Sequence, residues 1–305
     1  MMLSARRYLQ LFKKAAAAWN EDYAASMGAA LAYYTTFSLA PVLIVVIAVA
    51  GLVFGQDAAR GEIVYQLRGL IGDESAKAVQ ELLKSASEPG KSVVASVIGI
   101  VTLLVGATSV FAELQSSLDR IWRAPALKKQ TGIWSLLRTR LLTFGMVVAI
   151  GFLLLVSLAL SAAVSAVDRW GGSLFPTWHS VLQVVNVGVG FALTALLFGM
   201  AYRILPRVRI AWRDVAVGAI VTAALFEGGK YLIGLYLGRA GVSSGFGAAG
   251  SLIILLAWVY YSAQIFLLGA EFTWVYAHSH GSRAGEEPAP APPIPISPAR
   301  PKSAA

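Results

Sequence analysis

The 305-residue chain contains no cysteine, which removes disulfide staples, thiolate metal sites and cysteine nucleophiles. Histidine is nearly absent too: only His179, His278 and His280 occur, and no HExxH, GxSxG, phosphate-loop or clustered carboxylate pattern is present. The expectation is a protein with no catalytic residues, no metal site and no cofactor. Charge is scarce, at 13% of residues, against about 25% in a soluble domain. The net charge of +9 does not point to nucleic acid, because the basic residues are spread over short segments between apolar runs and no nucleic-acid-binding motif gathers them.

What is abundant is apolar sequence, 57% of the chain. A spanning helix needs about 20 mostly apolar residues, and six segments reach that length: Gly28 to Phe54, Ser92 to Ala112, Leu141 to Ala166, Val181 to Tyr202, Val215 to Leu237 and Ser251 to Ala277. Lipid satisfies no bare backbone group and the alternation of a β-barrel is missing, so the expected fold is all-α: a polytopic membrane protein with six transmembrane helices. The first segment outruns a signal-peptide core and is expected to stay in the mature protein.

Around this domain of residues 28–277 lie three further pieces. Residues 1–27 place Tyr8, Phe12, Ala15 and Trp19 at helical spacing among Arg6, Arg7, Lys13 and Lys14, the pattern of an amphipathic arm at the membrane interface. Residues 55–91 carry Ile63, Leu67, Leu70, Ile71, Val79, Leu82 and Leu83 at helical spacing and predict a helical outer loop. Residues 278–305 hold seven of the twelve prolines and predict a disordered cytoplasmic tail.

Of the 25 basic residues, 17 fall in the N-terminus, the second and fourth loops and the tail, against 7 in the other three loops. Basic loops stay cytoplasmic, so both termini are expected inside. The partner expected for those loops, Ile121 to Arg140 above all, is the lipid bilayer and its anionic phospholipid headgroups, each basic residue contributing about 1 kcal/mol.

Two charges stand within an apolar run. In AALFEGGKYLIG, Glu227 and Lys230 share a helical face about 18 and 22 Å into the membrane, spaced to neutralise one another. Gly228 and Gly229 beside them leave backbone open to a neighbouring helix or ligand. Tyr260, Tyr261 and Gln264 of the sixth segment overlap them in depth, and the first segment adds Tyr34 ahead of Pro41, whose ring predicts a helix kink. These residues define an intramembrane polar site or, equally, a clamp between helices. Arg239, Ser243, Ser244 and Gly245, in a glycine-rich turn, define either an anion nest or only a close turn. Glu271 is expected at the cytoplasmic interface, about 30 Å along its helix.

The stretches MGAALAYYTTFSLAPVLIVVIAVAGLVFG, LQSSLDRIW, YRILPRVRIAWRDVAVGAIVTAALFEGGKYLIGLYLG and GFGAAGSLIILLAWVYYSAQIFLLGAEF resemble the YihY/BrkB family of bacterial inner-membrane proteins, from Trp19 to Phe272. The resemblance implies a multi-pass, six-span protein of the bacterial cytoplasmic membrane in a family tied to virulence and serum resistance and once labelled ribonuclease BN. It places the family's fifth-span acid and lysine on Glu227 and Lys230, and its YxxLP turn on Tyr202 to Pro206. Two residues depart from the pattern: Phe246 stands where tyrosine commonly precedes glycine, and Asp119 where asparagine is usual. Phosphodiester hydrolysis needs gathered metal-binding groups, and these loops supply none. The function expected is transport or flipping of an amphiphilic or anionic envelope substrate; the alternative is a non-transporting scaffold for envelope assembly.

Overall fold

The computed structural model describes residues 5–71, 109–125, 178–239 and 248–286, together with 76, 79, 80 and 145. The described residues form helices and turns, with no strand among them. In chain order the helices are α1 (Ala5–Glu21), α2 (Ala24–Phe54), α3 (Gln56–Ile71), α4 (109–121), α5 (Trp178–Ile204), α6 (Trp212–Arg239) and α7 (Ala248–Ser279).

Three of them are long and apolar enough to cross a membrane among the described residues, over Val187–Ile204, Trp212–Ile233 and Leu252–Ser279. They match the fourth, fifth and sixth expected spans. Helix α2 covers the first, 31 residues without interruption through Pro41. A proline cannot donate to the carbonyl four residues back, so the Phe37 carbonyl loses its ladder bond. Thr36 donates back to the Ala32 carbonyl at 2.8 Å and Ser38 to that of Thr35 at 3.2 Å, contacts of a kind that bend helices. The second and third expected spans lie outside the described residues, apart from 109–112 and 145. Helix α3 occupies the first half of the expected outer loop; it starts where Gly55, at φ 85°, ends α2 by donating to the Gly51 carbonyl.

Helix α7 packs against α1, α2 and α6, and α5 packs against α6. The α6–α7 contact is close because small residues meet threonines in both directions. A Cβ on Gly218 would overlap Thr273, and one on Gly269 would overlap Thr222. Each threonine hydroxyl donates within its own helix, Thr222 to the Gly218 carbonyl and Thr273 to the Gly269 carbonyl, both at 2.7 Å. Small residues let helices approach where lipid gives no hydrophobic drive for association. Tyr202 of α5 closes the layer: its buried hydroxyl donates to the Phe266 carbonyl at 2.7 Å and lies 3.1 Å from Thr222 Oγ1. Tyr202→Phe is therefore expected to destabilise the protein by about 1 kcal/mol with unchanged helix content, measured by denaturant titration in detergent.

The arm α1 behaves differently from a free interfacial helix. Leu11, Ala15 and Ala18 are buried, and Leu11, Ala15 and Phe12 pack on Phe272 and Val275 of α7, the Phe12 and Phe272 rings 4.8 Å apart. Arg6, Arg7, Lys13 and Lys14 stay exposed on the opposite face. The apolar stripe seen in the sequence is thus used on protein, while Tyr8 and Leu9 remain open.

Candidate functional site

Glu227 and Lys230 meet as the spacing requires, Lys230 Nζ lying 2.9 Å from Glu227 Oε2. Their side chains remain 35% and 23% exposed respectively, so the contact is not closed off by protein. The ammonium also stands 5.6 Å from the centre of the Phe226 ring, which packs edge-on against Phe198 and Trp258. Gly229 lets α7 approach: a Cβ there would lie 3.1 Å from the Tyr261 hydroxyl. Tyr261 of α7 thus lies beside the backbone between the two charges. Either charge alone at a helix centre costs about 2.5–3.5 kcal/mol to insert, and the pairing offsets part of that for both.

The remaining expected members are placed elsewhere. Tyr34 and Tyr260 are 38% and 37% exposed, and neither bonds to the charged pair. Gln264 lies over Gly28, where a Cβ would overlap its amide, and donates to the Ala25 carbonyl at 3.4 Å, so it joins α7 to the start of α2. Arg239 is the last residue of α6; Ser243, Ser244 and Gly245 lie outside the described residues.

A second polar constellation forms at one end of the bundle, where the start of α2, the end of α4, the α5–α6 turn and the end of α7 come together. Asp22 is fully buried and accepts from Arg123 Nη1 at 2.6 Å, with Arg120 Nε 3.8 Å away. The backbone is bent for this contact. Tyr23, beside Asp22, sits in the left-handed region at φ 58° and separates α1 from α2. Arg123 is also left-handed, at φ 51°, and ends α4 in a Schellman turn: its N–H reaches the Arg120 carbonyl at 3.1 Å, and that of Ala124 the Asp119 carbonyl at 2.8 Å. Glycine is the usual residue there, so a side chain at that position carries a conformational cost of about 1–2 kcal/mol.

Other contacts extend the same end. Asp119 accepts the Arg207 amide at 2.8 Å and pairs with its guanidinium at 3.3 Å. Burial pushes the Asp119 carboxyl above the usual carboxylate range, against the opposing pull of the Arg207 amide and charge. An asparagine at this position would keep the amide bond and lose the ion pair. Gln115 donates to the Leu205 carbonyl at 2.9 Å, and Arg203 reaches the Ile210 carbonyl across the YxxLP turn. Asp214 accepts from the Ser282 hydroxyl at 2.6 Å and its amide at 3.0 Å, fastening the chain beyond α7 to the head of α6. Glu271 is also fully buried, and both its carboxyl oxygens lack a hydrogen-bond partner.

Depth along its helix places Glu271 at the interface. Its depth along the helix was legible, but not that α1 and α4 cover that interface with protein. NEDY and LDRIW lie far apart in the sequence, and only the tertiary contact brings their charges together. Among the described residues no group of three or more metal-binding side chains occurs.

Apolar helices of membrane-spanning length, closely packed through glycine and threonine around a few charged contacts, define an α-helical membrane protein. The family described as "Virulence factor BrkB" matches residues 15–293, and the chain belongs to it. Among curated relatives, the UPF0761 membrane protein of Glaesserella parasuis is 28% identical over 72% of this chain and 76% of its own. The UPF0761 membrane protein YihY of Escherichia coli is 32% identical over 58% of this chain and 57% of its own. A Pseudomonas aeruginosa UPF0761 membrane protein is 26% identical over 82% of this chain and 58% of its own. The match thus spans less than two thirds of the last two relatives. No solved structure matches the chain.

Proposed function

We propose that the protein is a multi-pass protein of the bacterial cytoplasmic membrane, with both ends cytoplasmic, that moves or flips an anionic amphiphile of the envelope past the Glu227–Lys230 pair. The observation that carries this reading is the half-open state of the pair: opposite charges on a spanning helix, part exposed, with exposed Tyr231 one turn on from Glu227. A hydrophilic solute would be served by an enclosed polar cavity. An open flank suits a molecule whose headgroup meets Lys230 while its chains stay in lipid. In this reading Glu227 holds Lys230 until the anion replaces it, and Tyr261 lies behind the exchange.

The test uses the full chain in proteoliposomes of phosphatidylcholine with a trace of fluorescent phosphatidylglycerol, the inner-leaflet probe being followed by its exposure to an impermeant quencher. Wild type should raise the exchange rate, and Glu227→Gln or Lys230→Met should lower it at least about tenfold, a change equivalent to about 1.4 kcal/mol, while folded protein is recovered normally. Exchange at wild-type rate by both variants would remove the pair from the function. Lost folding rather than lost exchange would favour the clamp and the scaffold reading.

A further inference from the structure

Helix α3 carries two arginines that no described residue answers. Arg60 and Arg68 line an open groove of about 470 Å³ together with Asp57, Gly61, Val64, Tyr65 and Gln80. No ion pair or hydrogen bond joins either guanidinium to another described residue. Spacings of four put Arg60, Val64 and Arg68 along one helical face, the two arginines about 12 Å apart along the axis. Between them the floor is apolar, with Val64 buried and Tyr65 exposed beside it. Gly61 keeps the strip open, since a Cβ there would meet nothing within 4 Å. The acid, Asp57, stands in the first turn of α3, where the helix dipole favours it, and makes no ion pair with Arg60. Two guanidinium groups against one carboxylate leave the lining positive.

The helix is held beside the spans. It starts where α2 ends at Gly55, and Ile63 packs on the cluster that contains Leu43 of α2 and Leu255 and Val259 of α7. Leu255 and Val259 belong to the membrane-spanning segment Leu252–Ser279, and Leu43 lies about 16 Å along α2 from its end. A molecule that enters this groove therefore meets cationic groups and apolar surface together.

We propose that the α3 groove binds the phosphate-bearing headgroup of an anionic lipid, Arg60 and Arg68 holding the phosphate oxygens while Val64 and the Tyr65 ring take the adjoining glycerol and first methylenes. Guanidinium groups match phosphate oxygens in charge and geometry. A free phosphate ion suits the groove less. Such ions are held by converging donors, backbone amides among them, whereas the mid-helix amides of α3 are spent within the helix and Val64 offers no donor. The site does not depend on the Glu227–Lys230 reading, whose residues belong to α6.

The test follows amide hydrogen exchange over residues 57–68 of the full-length protein in nanodiscs of phosphatidylcholine, with and without phosphatidylglycerol. Phosphatidylglycerol should slow exchange there at least about threefold in the wild type, as a ligand at about twice its dissociation constant does. The slowing should vanish when Arg60→Gln and Arg68→Gln are combined, and also in Gly61→Leu, which keeps both charges and fills the groove. Neither variant removes a polar contact, because both arginines are unpaired among the described residues and the space beside Gly61 is free. Inorganic phosphate added to phosphatidylcholine nanodiscs should leave exchange unchanged. A wild type insensitive to phosphatidylglycerol would overturn the proposal. Slowing retained in the arginine variant would overturn it because the arginines then hold nothing, and slowing retained in Gly61→Leu because charge then acts without the groove. Equal slowing by inorganic phosphate would overturn it too, assigning the groove to a free anion.

Discussion

Replacing Arg123 by methionine is expected to destabilise the protein by about 3–5 kcal/mol, the range for removing one partner of a buried ion pair. The reason is what remains: Asp22, with no exposure, loses a 2.6 Å charge-assisted bond and keeps only Arg120 at 3.8 Å. The left-handed backbone of Arg123 sharpens the test. Glycine at this position discards the same guanidinium but relaxes the Schellman turn, so Arg123→Gly should be about 1 kcal/mol less damaging than Arg123→Met, although methionine keeps more packing volume. Denaturant titration in detergent measures both. Equal losses would mean that the turn carries no strain, and losses below about 1 kcal/mol would mean that the pair contributes little to holding this end together.

Trp122, one residue earlier, gives the second large effect. It is 2% exposed and belongs to the core formed by Leu118, Ile121, Tyr202, Phe266 and Ala270, with the Arg283 guanidinium 5.6 Å from its ring. Trp122→Ala is expected to cost about 3–5 kcal/mol through lost burial and the cavity left behind. Its indole Nε1 is buried without a hydrogen-bond partner, so the large ring matters and its polar atom does not. Trp122→Phe should therefore cost no more than about 1.5 kcal/mol, since it keeps an aromatic ring and removes an unsatisfied donor. If phenylalanine proves as damaging as alanine, the N–H has a role that packing does not describe.

The long apolar runs made the spans of α5, α6 and α7 legible, because length and composition alone decide whether a segment can cross lipid. The Glu227–Lys230 contact was equally legible, since a spacing of three on a helix fixes which side chains meet. Grouping Tyr34, Tyr260 and Gln264 with that pair was not supported by contact. Depth along a helix is a single coordinate, and rotation about the axis turns Gln264 toward α2 and Tyr261, not Tyr260, toward Gly229. The reciprocal glycine–threonine packing of α6 on α7 was hidden for a different reason. It depends on register between two helices, which neither sequence contains by itself. The arm α1 shows the same limit, because an amphipathic stripe reads alike whether it rests on headgroups or on Phe272 and Val275.

The junction at Asp22 also has a bearing on how the chain is made. Its acid emerges from the ribosome before Arg123, and α7 follows the other described helices. Until α7 arrives, the acid has neither its cover nor its full set of neighbours, and water must solvate it. Closure of this seam therefore waits for α7, and a product truncated before α7 would display an open charged face for quality-control proteases to recognise.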